Sequence, residues 1–349
     1  MSEANAFHSR HRAAETAISV SSVWKVFGEG AARFRSRPPA ERTAEALSRD
    51  HLTGAVQDAS FDIGRGEVFV IMGLSGSGKS TLLRCLTRLI EPTEGHITFG
   101  GQDILKLGEK ALADLRRRRM GMVFQHFALL PNRTVLGNIA FPLEMQGIDR
   151  ARAEARAREL VALVGLSGRE TRLPTQLSGG QQQRVGIARS LATNPEFWFL
   201  DEPFSALDPL IRTDLQDEVL RLQREQSRTA VFVTHDLDEA IRLADRIAIM
   251  ENGRIIQIGT PEELVTRPAT DYVRRFVAKV PPARVIRVAS LMRRESIASA
   301  AMSVPAEATV SEVAAQIVAS AGPIAVTDKA GRTLGSLDRQ TALETLAAL

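Results

Sequence analysis

Only one of the 349 residues is a cysteine, Cys85, so no disulfide can form within the chain and a reducing compartment is expected. Long apolar runs are also missing. None approaches the ~20 residues that a membrane-crossing helix needs, and the longest, "VFVIM" (68–72) and "AVFV" (230–233), have the length of strands. The opening "MSEANAFHSRHRAAE" has no apolar core of a secretory signal, and residues 1–16 are expected to be a polar, disordered lead. An excess of one charge is scarce too. A net charge of +4 over this length fits an ordinary solvated surface better than a nucleic-acid-binding one. If the chain acts at a membrane, a partner must do the spanning.

What is present is globular composition, with 44% hydrophobic and 25% charged residues. At this length it suits one large α/β domain and a smaller unit. Four short apolar runs end in polar loops: "EVFVIMG" (67–73), "MGMVFQ" (120–125), "FWFLDEP" (197–203) and "TAVFVTHD" (229–236). Unbroken rather than alternating hydrophobicity predicts strands buried on both faces, as in a parallel sheet. Between them, Leu215, Val219 and Leu222 fall on one helical face, and "DRARAEARARELVALVGL" (149–166) predicts another helix. Residues 29–54 interrupt a first strand pair, 17–28 and 55–63, as an insertion. Pro38 and Pro39 there suit a helix start, and "AERTAEALSRDHL" suits one short helix. Beyond "VPPARV" (280–285), residues 286–349 read as a separate unit of helix, strand, turn, strand and helix.

"GLSGSGKS" (73–80) follows one of the strands and precedes the helical "TLLRCLTRLI". That context makes it a phosphate-binding loop. Gly73, Gly76 and Gly78 free backbone N–H groups to close around phosphate oxygens, and the helix N-terminus adds a favourable field. Lys79 is placed to neutralise β- and γ-oxygens, and Ser80 to ligate Mg²⁺. "FWFLDEP" delivers Asp201 and Glu202 at a strand's C-terminal edge, where open α/β sheets hold ligands. Asp201 suits the Mg²⁺ shell and Glu202 the polarising of an attacking water. Gln125 and His235 end two further strands. Gln125 can ligate Mg²⁺ and sense a γ-phosphate, and His235 can hydrogen-bond one. Cys85 lies one turn into the helix after the loop and is expected to be core. These parts alone fit a kinase, a GTPase or an ATPase.

"LSGGQQQR" (177–184) discriminates. With it, the sequence resembles the ATP-binding subunit of ABC transporters over about residues 17–275. "GLSGSGKS" and "FWFLDEP" are similar to that family's Walker A and B motifs, Gln125 to its Q-loop, "SALD" (205–208) to its D-loop and His235 to its switch histidine. The resemblance implies an ABC cassette: a parallel core sheet, an antiparallel β subdomain and a mainly helical subdomain over 126–195. It implies ATP and Mg²⁺ as ligands. The nucleotide contacts are then Gly73, Leu74, Ser75, Gly76, Ser77, Gly78, Lys79, Ser80 and Thr81, with Gln125 and His235. Adenine stacks on Phe27, or on Trp24 if the insertion distorts the spacing. Glu202 and His235 are catalytic, and Ser80, Gln125 and Asp201 hold the metal.

Ser178, Gly179, Gly180 and Gln181 open a helix whose N-terminus suits an anion. In the family that anion is the γ-phosphate on the other copy's loop, which implies a head-to-tail homodimer with Ser205 and Asp208 communicating across the seam. The resemblance further implies docking on transmembrane permease subunits at the cytoplasmic face of the membrane, with "HFALLPNRTVLGNIAFPLE" (126–144) as the permease groove. A substrate-binding protein acts indirectly, and nucleic acid is no partner. Leu74 within the loop, the segments "TRLIEPTEG" and "DPLIRTDLQDEV", and the insertion narrow the likeness to importers of glycine betaine, proline betaine or choline. An amino acid or other small polar cargo is the alternative, and a non-transport ABC ATPase acting on nucleic acid is a remote one. The tail resembles a single cystathionine-β-synthase (CBS) motif, a module that normally works in pairs.

Overall fold

The computed structural model describes residues 15–205, 207–295 and 302–348, so most of the expected disordered lead (1–16) lies outside the described residues. The chain divides into two compact units, Met1–Ile255 and Ile256–Leu349.

The first unit is built on two sheets. Strands β1 (Thr16–Phe27), β2 (Thr53–Gly64), β4 (Glu94–Phe99) and the short β5 (Gln102–Asp103) form an antiparallel sheet in the order β2-β1-β4-β5. Between β2 and β4 in sequence, β3 (Val68–Met72) leaves for the second sheet. There it joins β6 (Met120–Val123), β7 (Phe197–Asp201), β8 (Thr229–Thr234) and β9 (Arg246–Glu251) in the order β9-β3-β8-β7-β6, and a further strand, β10 (Arg254–Gly259), begins at the boundary of the two units. Strands β9, β3, β8, β7 and β6 run parallel. Every residue of β3, β7 and β8 is buried, the physical reason their sequences lack alternation. Aromatic pairs join the two sheets. Phe61 stacks on Phe69 at 5.0 Å, and Phe99 meets Phe197 edge-on at 4.7 Å.

All four apolar runs are therefore strands, and Leu215, Val219 and Leu222 are buried on one face of the helix Pro209–Gln226. Three helices, Val135–Met145, Arg150–Leu163 and Gly179–Leu191, occupy the region between β6 and β7. The arginine-rich middle one buries Ala153, Ala157, Leu160 and Val161, while its guanidinium groups pair along the outside with Glu154 and Glu159. The short helix expected within 40–52 is found as Ala44–Arg49, and the insertion holds a further helix before it. It folds as two helices, Ala31–Arg35 and Ala44–Arg49, separated by a 3₁₀ turn at Pro39–Glu41. The prolines initiate that turn, and Thr43 caps the second helix by accepting from the Ala46 N–H at 3.2 Å.

In the second unit, β11 (Ser303–Pro305), β12 (Ile324–Thr327) and β13 (Thr333–Leu337) form a three-stranded sheet, with β11/β12 parallel and β12/β13 antiparallel. The helices Ala314–Ala319 and Arg339–Ala347 lie where the sequence placed them. Val304, Ile317, Ile324, Val326 and Leu337 belong to a core of the unit's own.

Candidate functional site

The loop 73–78 leaves the C-terminal end of β3 and feeds the helix Lys79–Leu86. Its path depends on two glycines. Gly78 has φ +99°, and a Cβ there would lie 2.0 Å from the Ala55 carbonyl oxygen. Gly73 has φ +153°, and a Cβ would meet the Met250 carbonyl oxygen at 2.2 Å. No L side chain fits either place. The loop is thus clamped between β2 and the turn after β9. That turn adds a further tie, since the Gly253 N–H donates to the Ser77 carbonyl at 3.0 Å.

A cleft of about 590 Å³ opens at this loop. Ser75, Gly76, Gly78, Lys79, Ser80 and Thr81 line it, and Gln125 and Glu202 reach it from the ends of β6 and β7. Lys79 is only 5% exposed, and its ammonium donates to the carbonyls of Gly73 and Leu74, both at 2.9 Å. Burial lowers the Lys79 pKa from its ordinary value, against the opposing pull of the Glu202 and Asp201 carboxylates. Such a cation, desolvated and backed by carbonyls, is poised for an anion entering the loop. Gly73, Leu74 and Ser77 do not line the cleft. Ser77 is buried, and Leu74 is 61% exposed.

The carboxylates sort into two groups. Asp201 is 2% exposed, accepts from the Ser80 hydroxyl at 2.7 Å, and has an Arg84 guanidinium nitrogen at 3.4 Å. Glu202, the next residue, turns away with φ +46°. Its Oε2 accepts from the Gln125 amide at 3.2 Å and lies 3.3 Å from His235 Nδ1. Of the four residues that the sequence singles out at strand ends, Gln125, Glu202 and His235 are thus brought together, while Asp201 pairs with Ser80. Ser80, Asp201 and Gln125 present hard oxygen donors with a single carboxylate directed at the loop. That donor set suits Mg²⁺, which keeps waters and relies on one or two carboxylates plus phosphate.

The signature segment lies elsewhere. Ser178 caps the helix Gly179–Leu191 in a capping box: it accepts from the Gln181 N–H at 3.3 Å while its own N–H donates to the Gln181 side chain at 3.1 Å. Ser178 and Gly179 are exposed, and no residue of 178–181 lines the cleft. Further along this helix, Arg189 donates to the carbonyls of Phe127 and Ala128 at 3.0 and 2.7 Å, tying the helix to the segment after Gln125. Burial lowers the Arg189 pKa. In the D-loop, the Ser205 hydroxyl donates to the Glu202 carbonyl at 3.1 Å, and Asp208 is exposed. Of the two aromatic candidates, Trp24 is buried against Phe34 at 5.6 Å, whereas Phe27 is 43% exposed with the Lys25 ammonium 4.8 Å above its ring.

Sequence reasoning missed the cleft's other walls. Gln57 donates to the carbonyls of Gly54 and Asn252, and its N–H donates to that of Gly253, which fixes the turn 252–253 beside the loop. The Asn-Gly pair in "ENGR" was a readable turn signal. Its meeting with β2 was not readable. Cys85 is fully buried, as expected, and burial pushes its thiol up to about 12. At pH 8 about one molecule in 10⁴ would carry the thiolate. Folded protein should therefore resist a maleimide for hours and react at once in denaturant. Rapid labelling of the native chain would show that the helix Lys79–Leu86 opens.

The chain is similar to known proteins along most of its length. A family profile described as ABC transporter matches residues 56–205. The trimethylamine N-oxide transport system ATP-binding protein of Ruegeria pomeroyi is 53% identical over 330 residues, 94% of this chain and 96% of that protein. The glycine betaine/proline betaine transport ATP-binding protein of Escherichia coli is 48% identical over 278 residues, 79% of this chain and 70% of that protein. Among solved structures, a dimeric ATP-binding cassette in a post-hydrolysis state, bound to ADP and Pi, covers 70% of this chain at 32% identity and a TM-score of 0.61. Relatives this similar over nearly the whole chain place it in the ABC transporter family as an ATP-binding, ATPase subunit.

Proposed function

We propose that this chain hydrolyses ATP to drive import of a small methylated-amine osmolyte, with trimethylamine N-oxide and the betaines as the cargo class. The observation that carries this reading is the 53% identity to a trimethylamine N-oxide transport protein across nearly the whole of both chains, tail included. The betaine relative aligns over less of either chain. Among the described residues no helix is long and apolar enough to cross a membrane, so the cargo path belongs to permease partners. The segment 126–144, with Phe127, Leu129 and Leu130 half-buried, supports a docking groove for them at the cytoplasmic face. The β-α-β-β-α order of the tail supports a single CBS-like module.

In the proposed reaction, the N–H groups of the loop and Lys79 take the phosphates. Ser80, Asp201 and Gln125 would hold Mg²⁺, which would supply neutralisation of the charge that develops on the phosphates. Glu202 accepts a proton from the attacking water, and Gln125 and His235 fix its carboxylate. The exposed Ser178–Gln181 turn meets the nucleotide on a second copy, with Ser205 and Asp208 at the same seam. A deletion strain should lose uptake of labelled trimethylamine N-oxide or glycine betaine. Unchanged uptake of both, with loss of an amino acid such as methionine, would replace the cargo class. Methionine import proteins align at 46% identity over 64% of this chain.

A further inference from the structure

The insertion 29–54 is a packed part of the molecule rather than a surface loop. Its Phe34, Ala46, Leu47 and Leu52 share a buried cluster with Trp24 and Val26 of β1. Arg37 pairs with Asp50, and Arg42 pairs with Glu94 on β4, so both halves of the segment are anchored by charge as well as packing. The helix Ala44–Arg49 then has three faces. Ala46 points into the cluster, and Glu45 and Arg49 are exposed. Ala44, Leu47 and Ser48, spaced i, i+3, i+4, line the same cleft as Gly76 and Lys79.

The phosphate loop accounts for only one end of a cleft of about 590 Å³, a size in the range of small-ligand sites. The opposite chemistry, apolar surface with the two hydroxyls of Ser48 and Thr53, is supplied by this helix and by the start of β2 after it. Thr53 is the cross-strand partner of Phe27, the exposed aromatic at the end of β1. Directly opposed residues of an antiparallel pair share a sheet face, which puts Phe27 on the face of Thr53 although its ring does not itself line the cleft. We propose that the helix Ala44–Arg49 is a nucleoside wall of the ATP site, with Ser48 as its hydrogen-bonding residue toward the ribose–purine end of ATP. The proposal rests on the assignment of the phosphates to the loop 73–80.

Calorimetric titration of the full chain with Mg-ATP and with inorganic tripolyphosphate separates the two. Ser48 is exposed, so both Ser48→Tyr and Ser48→Ala leave the buried cluster intact. Ser48→Tyr should weaken Mg-ATP at least tenfold and leave tripolyphosphate within twofold of the parent. Ser48→Ala should weaken Mg-ATP roughly three- to tenfold, the effect of one hydrogen bond. Mg-ATP bound by both variants as tightly as by the parent would overturn the wall, as would equal loss of both ligands in Ser48→Tyr. Lys79→Ala should weaken both ligands together. If it weakens neither, the phosphate assignment itself fails, independently of Ser48.

Discussion

Glu202→Gln should lower kcat for ATP hydrolysis by about 10²- to 10⁴-fold while leaving the Kd for Mg-ATP within a few-fold of the parent. The substitution keeps the volume and one acceptor oxygen. It removes the carboxylate that lies between the Gln125 amide and His235, and with it the group able to take a proton from water. Lys79, Ser80 and Asp201 are untouched, so the phosphate end of the site persists. A nucleotide that binds but is not consumed should also accumulate whatever assembly it stabilises. With Mg-ATP the variant should sediment as a dimer, while the parent returns to monomer as ATP is hydrolysed. Near-parental turnover would remove Glu202 from the chemistry. A variant that stays monomeric with bound Mg-ATP would instead refute the reading of the Ser178–Gln181 turn as the partner's half of the site.

Gly78→Ala should abolish nucleotide binding rather than slow the chemistry. The added Cβ would lie 2.0 Å from a backbone carbonyl oxygen, and φ +99° is itself strained for alanine. The obstacle is main chain, the carbonyl of Ala55, so no flexible side chain can move to make room. Relief requires the loop to shift away from β2, which takes its N–H groups off the phosphates and frees Lys79 from the carbonyls of Gly73 and Leu74. We expect Mg-ATP affinity to fall by more than about 100-fold, equivalent to some 3 kcal/mol. Circular dichroism should be close to the parent's, since the core of β3 and β8 is unaffected. Gly76→Ala is the control. Nothing lies within 4 Å of its Cβ position, and only the φ of +78° opposes it, so its loss should be smaller. Equal affinities for the two variants would mean that the Ala55 contact does not shape the loop.

The parallel sheet was legible because burial on both faces leaves a one-letter record: "VFVIM", "FWFL" and "AVFV" contain no polar residue, and polar groups come only at the strand ends. The phosphate loop was legible because only glycine tolerates its dihedrals and close approaches, which fixes the spacing in sequence. Asp201, Glu202, Gln125 and His235 could be read as strand-end polar residues, and the parallel register delivers them to one edge. Partners distant in sequence left less trace. The contact of Gln57 with Asn252 spans 195 positions and depends on how β2 crosses the turn after β9. The insertion was legible only in part, for a different reason. Its charged surface, with Arg35, Arg37, Glu41, Arg42 and Arg49, reads as solvated, and a few apolar side chains, Phe34, Ala46, Leu47 and Leu52 with the partly buried Ala31, carry the packing. The short helix expected within it is found as Ala44–Arg49, capped by Thr43, but the helix before it was not legible.

The guanidinium of Arg189 gives the signature helix a handle on the chain that follows Gln125. Two hydrogen bonds to consecutive carbonyls hold Phe127 and Ala128, both of which adopt left-handed backbone with φ +56° and +48°. A contact so short and doubly anchored transmits displacement instead of absorbing it. If the helix Gly179–Leu191 swings to meet a second copy, the segment carrying Gln125 must travel with it. Gln125, which holds Glu202, and Ser178, at the head of that helix, would then move as one crank, and the same stroke would withdraw the glutamine's support from Glu202.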